Sequence, residues 1–253
     1  EFTVHELFRS LLQIKPNKTP GIDGIPMEFY YAFWSEIKEH LLDVIKEVYF
    51  LQTLTESQSN AILTLLFKNK GDRTQVLNWR PISLLCVDYK IITKTLANRL
   101  KRTLTSLISP DQTCGVPGRS IHSNITLVRN IIYHAKQKQI QTYILTIDQE
   151  KAFDKVSIEF LDKVLQTMNF GQYFRNWIKA ICTNITSDIH NNGYFSERIC
   201  IKRGVRQGCP LSPLLYILIV ETLAEAIKQD PLIRGYKLGG ADIKISQYAD
   251  DTT

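Results

Sequence analysis

Apolar residues at Phe29, Phe33, Ile37, Leu41, Ile45 and Val48 recur every three or four positions, which predicts an amphipathic helix over residues 27–50. A second helix follows from Ile92, Leu96, Leu100 and Leu104 on one face, with Lys90, Lys94, Lys101 and Arg102 on the other. Further helices are predicted over 121–138 and 157–169. A last one starts near Ser212, where Pro210 and Pro213 suit a first turn and Leu214, Leu218, Ala224 and Ile227 mark a core face. Unbroken apolar runs at 61–67 and 143–147 read as buried strands. Residues 185–201 read as a hairpin turned at Asn191-Asn192-Gly193, and the alternation from Asp242 to Gln247 reads as a strand. The order is that of an α/β (α+β) protein. It contains no internal repeat and no linker rich in Gly, Ser or Pro, so one domain is expected over 1–253.

Acidic residues stand at the ends of two of these strands. Tyr248-Ala249-Asp250-Asp251 closes the alternating run, and Asp148 follows the apolar run that ends at Ile147. An Asp-Asp pair is common in turns, because Asp favours them, and a lone strand-end Asp is equally ordinary. Taken together they are less ordinary. If the two strands neighbour each other in one sheet, three carboxylates converge, and like charges repel unless a cation relieves them. Hard divalent cations such as Mg²⁺ bind through carboxylates plus phosphate oxygens. Two such ions about 3.5–4 Å apart are the means of phosphoryl transfer in two-metal sites.

Composition narrows the setting without naming the chemistry. The 253 residues, 44% of them hydrophobic, suffice for one sizeable core, with room for two subdomains. A net charge of +6 favours a polyanionic partner. The five cysteines (Cys86, Cys114, Cys182, Cys200, Cys209) are scattered without ligand spacing, which argues for a reducing compartment and against zinc or a disulfide framework. No secretory leader and no apolar run of membrane-spanning length is visible, since Glu221 ends the run from Leu214. An intracellular protein of nucleus or cytoplasm is expected, neither secreted nor membrane-bound.

Six segments, in order, resemble the reverse transcriptases of non-long-terminal-repeat retrotransposons, the long-interspersed-element type. Asn17-Lys18-Thr19-Pro20-Gly21-Ile22-Asp23-Gly24-Ile25-Pro26 is similar to their amino-terminal motif. Asn78-Trp79-Arg80-Pro81-Ile82-Ser83-Leu84-Leu85 and Asp111-Gln112-Thr113-Cys114-Gly115-Val116-Pro117-Gly118-Arg119-Ser120 are similar to the two fingers motifs. Residues 148–154 resemble motif A. Arg203-Gly204-Val205-Arg206-Gln207-Gly208-Cys209-Pro210-Leu211-Ser212-Pro213 resembles motif B, and 248–251 motif C.

The resemblance implies a right-hand polymerase with fingers and palm, the palm a mostly antiparallel sheet backed by helices. It implies fingers mainly over 1–140, palm mainly over 141–253, and fingers segments interleaved around 157–202. Asp148, Asp250 and Asp251 become the catalytic metal ligands for two Mg²⁺ ions, with Mn²⁺ as a substitute. Asp154 is set aside as an acid that orients the following helix. Phe153 takes the place of the bulky group under the sugar of the incoming deoxynucleoside triphosphate, where it would collide with a 2′-hydroxyl. Gln207 lies beside that nucleotide, and Gly208 permits close backbone approach. Arg80 is expected on the triphosphate, with a second cation from Lys68, Lys70 or Arg73. Lys18 and Arg119 are expected on the template side. RNA template and DNA primer are the implied partners, gripped mainly through phosphates.

The same resemblance leads one to expect the return strand of the motif C hairpin, the primer-gripping segment and the helical thumb beyond Thr253, as in a fragment of a larger polyprotein. Isolated, such a fragment would be weak or inactive. Two alternatives stay open: a non-catalytic nucleic-acid-binding remnant, and an RNA-templated RNA polymerase. Against the latter stand the bulk of Phe153 and the presence of Ala249, where Gly is usual. A two-metal nuclease would leave motif B and the fingers motifs without a purpose.

Overall fold

The computed structural model describes residues 1–253. Its helices are α1 (Val4–Leu11), α2 (Met27–Ala32), α3 (Trp34–Leu51), α4 (Glu56–Ser59), α5 (Val87–Leu107), α6 (Ile121–Lys138), α7 (Ile158–Thr167), α8 (Gln172–Cys182) and α9 (Ser212–Gln229). The strands are β1 (Asn60–Phe67), β2 (Trp79–Leu84), β3 (Ile185–Asn191), β4 (Tyr194–Phe195), β5 (Ile199–Ile201), β6 (Tyr236–Leu238), β7 (Ala241–Ile243), β8 (Gln247–Tyr248) and β9 (Asp251–Thr252). They divide between two compact units. The first comprises Glu1–Asn98 and Phe153–Ser212, the second Arg99–Ala152 and Pro213–Thr253.

The first unit is built on a five-stranded sheet in the order β2-β1-β3-β4, with β5 also on β3. Only β1 and β3 run parallel; the other pairings are antiparallel, so this sheet, like the one expected, is mostly antiparallel. The β3–β4 hairpin turns through Asn192 and Gly193, both at positive φ (49° and 83°). This is the type I′ geometry whose twist matches the flanking strands, and Asn-Gly is its best sequence. Helices α3 and α8 share a buried aromatic cluster. Trp177, fully buried, meets Phe2 edge-on at 5.0 Å and Tyr49 at 5.4 Å. Helix α1 is fixed at its start by a capping box, in which Thr3 and Glu6 satisfy each other's backbone amides.

In the second unit the buried residues Leu214, Leu215, Ile217, Leu218 and Ala224 of α9 and Leu104 of α5 supply the apolar interior. Two hairpins, β6–β7 and β8–β9, carry its strands. No helix in the molecule is long and apolar enough to cross a membrane. All five cysteines are free thiols.

The structure departs from the expected elements at several points. The helix expected over 27–50 is two helices, because Phe33 leaves the helical region (φ −106°, ψ 25°). Its amide closes α2 on Phe29, while its carbonyl opens α3 through Glu36 and Ile37. Residues 143–147 do not form a buried strand. Only Ile147 pairs, and Tyr143 and Leu145 are 85% and 72% exposed. A ladder needs a partner, and no strand lies alongside 143–146; instead Tyr143, Ile144 and Leu145 line an open groove of about 1140 Å³ with Ile131, Ile243 and Ile245. The alternating run 242–247 is split between β7 and β8, its middle spent on Lys244, whose ammonium caps the carbonyls of Lys228 and Asp230 at 2.8 and 2.9 Å. The return strand of the last hairpin is not missing: Asp251–Thr252 begin it as β9.

Trp177→Ala should lower the stability of the first unit by about 3–5 kcal/mol, read as a lower urea midpoint. Trp177→Phe should cost much less, because it keeps the ring contacts and removes an indole N–H that is buried without a partner.

Candidate active site

In the second unit the two segments that carry the strand-end acids are joined by a single pair of residues. Ile147 and Thr252 exchange both backbone hydrogen bonds, N–H to O=C at 2.8 Å one way and 3.1 Å the other. Asp148 and Asp251 each stand one residue beyond this isolated bridge, Asp148 after Ile147 and Asp251 before Thr252. Asp250 occupies the two-residue loop of the β8–β9 hairpin, because Tyr248 pairs directly with Asp251. Ala249, first in that loop, has φ +54°, the sign required there by a primed hairpin turn. A side chain pays for that conformation, since only Gly adopts it freely.

Like charges directly opposite destabilise a ladder. No lysine or arginine pairs with Asp148, Asp250 or Asp251, and no protein donor hydrogen-bonds their carboxylates. Asp148 and Asp251 are exposed and Asp250 is half-buried. The Asp250 charge is felt by its neighbours. Burial pushes the Tyr216 phenol upward in pKa and the Asp250 charge adds to it. Burial likewise raises the Cys114 thiol; a hydrogen bond with Tyr248 offsets part of the rise, and Asp250 adds to it. The Tyr216 hydroxyl donates to Gln149 Oε1 at 2.7 Å, tying α9 to the residue after Asp148. Hard oxygen donors without internal partners suit a divalent cation of the Mg²⁺ type.

A different trio, Asp23, Cys86 and Asp88 in the first unit, has its ligand atoms all within 4.8 Å of one another. It is a poor cation site. Asp88 accepts from Gln58 Nε2 at 2.7 Å and Asp23 from the Ile25 amide at 3.1 Å. The Cys86 thiol donates to the Ser57 carbonyl, and burial pushes it up to about 12, so it stays protonated at neutral pH.

In the first unit, Phe153, Asp154, Gln207 and Gly208 converge on the end of β2. The loop 203–209 is stitched to the segment after Asp148 by two backbone bonds, Gly204 N–H to the Val156 carbonyl (2.8 Å) and Val205 N–H to the Phe153 carbonyl (2.9 Å). A third runs from the Ser83 amide of β2 to the Gln207 carbonyl (3.0 Å). Two glycines make this closeness possible. A Cβ on Gly204 (φ +94°) would lie 2.9 Å from Asp154 Cα, and one on Gly208 (φ +110°) 2.8 Å from the Ser83 carbonyl oxygen. Gln207 Nε2 reaches Asp154 at 3.5 Å, at the limit of a hydrogen bond.

Residues 68–253 match the family model of the reverse transcriptase (RNA-dependent DNA polymerase). The chain belongs to the reverse transcriptase family. Over 251 residues (98% of the chain) it is 38% identical to the transposon TX1 uncharacterized 149 kDa protein of Xenopus laevis, of which it spans 19%. Over 94% of the chain it is 27% identical to the Pol polyprotein from the type-1 retrotransposable element R2 of Popillia japonica, spanning 32% of that protein. A third relative, the probable RNA-directed DNA polymerase from transposon BS of Drosophila melanogaster, is 24% identical over 87% of the chain, which spans 24% of it. This is a reverse transcriptase domain of the non-long-terminal-repeat kind.

Other residues expected at the site of this reverse transcriptase domain have varied settings. Arg80 lies exposed on β2, opposite Leu66. Lys70 is exposed in the β1–β2 loop, while Arg73 lies 4.9 Å over the Phe67 ring and its carbonyl accepts from Trp79 Nε1. Lys68 caps the Leu77 carbonyl at 2.8 Å, which leaves Lys70 and Arg73 the better placed of the three. Lys18 is exposed. Arg119 is engaged inside the protein: its guanidinium donates to the carbonyls of Ile108 and Gln112 at 2.8 Å, and also to that of Ser109. Sequence reasoning missed Arg206, which is buried, donates to the carbonyls of Gln58 and Ser59, and lies 5.2 Å over the Tyr89 ring. Its place beside Gln207 in motif B was visible; its burial was not, because Arg is seldom buried without partners.

Gly208→Ala meets both an unfavourable φ and a carbonyl oxygen, a strain of about 1–3 kcal/mol. The Ser83 amide should then exchange with solvent at least about tenfold faster, read by hydrogen–deuterium exchange, as its bond to Gln207 loosens.

Proposed function

We propose that this reverse transcriptase domain is an RNA-directed DNA polymerase of a retrotransposon, extending a DNA primer on an RNA template from deoxynucleoside triphosphates. The observation that supports the reading is the Ile147–Thr252 pair, which joins the segment ending at Asp148 to the hairpin that carries Asp250 and Asp251. Asp148, Asp250 and Asp251 are the residues that would hold two Mg²⁺ or Mn²⁺ ions. When bound, the ions would activate the primer 3′-hydroxyl and stabilise the leaving pyrophosphate.

The protein's own groups do the rest. Phe153 excludes a 2′-hydroxyl by its bulk. Gln207 contacts the sugar or base of the incoming nucleotide, and Gly208 lets the backbone come close to it. Arg80, with Lys70 or Arg73, neutralises charge that builds on the triphosphate oxygens in the transition state. Lys18 works on the template side. Arg119 supports the template by fixing the Pro117-Gly118 turn through the carbonyls of Ile108, Ser109 and Gln112, in the segment after α5. We assign residues 1–140 mainly to the fingers and 141–253 mainly to the palm, with fingers segments interleaved around 157–202. Template and primer are gripped chiefly through phosphates, so binding falls steeply with salt. The work is done inside the cell, in nucleus or cytoplasm.

Asp250→Ala should lower single-nucleotide addition to a DNA primer on an RNA template, with Mg²⁺ present, by about a thousandfold or more, several kcal/mol of charge stabilisation being lost. Equal extension by wild type and variant would refute the assignment. Phe153→Val should raise the efficiency of ribonucleotide relative to deoxynucleotide insertion by about 10–100-fold, the scale on which a pocket of shape alone discriminates. Unchanged sugar selectivity would remove Phe153 from that role.

A further inference from the structure

Gln112 is 1% exposed, and its side chain is spent almost wholly on one residue of the motif C turn. Its Oε1 accepts from the Ala249 amide at 3.0 Å and its Nε2 donates to the Ala249 carbonyl at 3.3 Å. Oε1 also accepts from the Cys114 amide at 3.0 Å, so the carboxamide plane is fixed by its own loop. One planar side chain thus grips both polar atoms of a residue, as a neighbouring strand would.

The residue gripped is the one at φ +54°. A non-glycine residue in that conformation costs about 1–2 kcal/mol and persists only where its surroundings over-determine it. The surroundings here are the 111–113 segment. Its backbone extends the sheet on β8, Gln247 N–H donating to the Asp111 carbonyl at 2.8 Å and Thr113 N–H to the Gln247 carbonyl at 3.1 Å. Asn124 of α6 adds bonds to Ser246 Oγ (2.8 Å) and the Gln247 carbonyl (3.0 Å), and accepts from the Thr113 hydroxyl. Backbone contacts therefore hold Gln247, but at Ala249 itself the Gln112 side chain supplies the hold.

We infer that Gln112 is a positioning residue for the metal-binding turn, fixing the Ala249 peptide so that Asp250 and Asp251 present their carboxylates toward Asp148. The inference rests on the reading of those three acids as metal ligands. Glutamine suits the task because donor and acceptor sit in one plane at the end of a two-methylene reach. Glutamate lacks the donor, methionine lacks both, and asparagine is a methylene short. Groups that orient metal ligands from behind are worth 10–100-fold in affinity in known sites.

The test is Mn²⁺ binding to the 253-residue chain, read from the electron paramagnetic resonance signal of free Mn²⁺ beside a urea unfolding curve. Gln112→Met, which keeps the volume, should weaken binding about 10–100-fold. Tyr236→Phe, which removes the 2.7 Å bond to His134 elsewhere in the same unit, serves as the control for general destabilisation and should bind as wild type. Gln112→Asn keeps a polar amide in the buried slot and carries the same expectation as Gln112→Met, should the latter not fold. Wild-type affinity in the Gln112 variants, or losses that follow the urea midpoint equally in Tyr236→Phe, would overturn the inference. Asp250→Ala separates the two levels. If it binds Mn²⁺ like wild type, the metal site itself is wrong; if it loses binding while the Gln112 variants keep it, only the role of Gln112 falls.

Discussion

Two backbone hydrogen bonds between Ile147 and Thr252 are the constraint on which the proposed chemistry of this molecule depends. They do not stabilise much by themselves, since a typical hydrogen bond contributes about 1 kcal/mol net. Their consequence lies in register. Side chains alternate along a strand, so shifting this pairing by one residue would send Asp148 to the opposite face from Asp251. The apolar run before Asp148 has no other ladder partner to fix its position. A site made of acids on two chain segments thus hangs on one reciprocal pair.

Each unit has loops shaped to permit close approach, and the two do it differently. In the first, close approach is achieved by deletion: Gly204 and Gly208 lack the Cβ that would strike Asp154 and Ser83. In the second it is achieved by bracing, because Ala249 keeps its methyl at positive φ and is held there by a neighbouring amide. The first device costs chain entropy in the unfolded state, about 0.5–1 kcal/mol per Gly relative to Ala. The second puts the cost in the folded state and needs a buried partner to offset it. Loop 203–209 also carries Arg206, whose charge is taken up by the carbonyls of Gln58 and Ser59, so the loop is anchored to the end of α4.

Much of this was legible in the sequence where a local rule has one physical reading. Asn192-Gly193 specifies its hairpin because few other pairs tolerate two positive φ angles, and the periodic leucines and isoleucines of α5 and α9 mark those helices. The acids were legible as a group because two strand ends carried them and the six motif segments stood in order. What was hidden depends on partners distant in sequence. Nothing local says that 143–146 lacks a ladder neighbour, since apolar β-formers read the same whether paired or bare. Arg119 and Arg206 look alike as charges, yet both spend their guanidinium groups on backbone carbonyls, a role set by where chain ends and loops fall. Helices α1 and α8 are a different kind of omission. The Thr3…Glu6 capping box was readable at the start of α1, and Trp177, Ile178 and Ile181 share a buried face of α8.

The electrostatics of the acid tip give the arrangement its direction. Asp148 and Asp251 flank the bridge without a cationic side chain paired to either, in a chain that carries +6 overall and could have supplied one. A lysine there would stabilise the folded protein and occupy the very oxygens a divalent ion needs. On the proposed reading, a cation bound only by the folded arrangement would stabilise it by mass action. Metal binding and the order of the hairpin would then be one equilibrium: whatever fixes Ala249 would lower the cost of gathering the acids, and an ion that gathers the acids would hold Ala249 in turn.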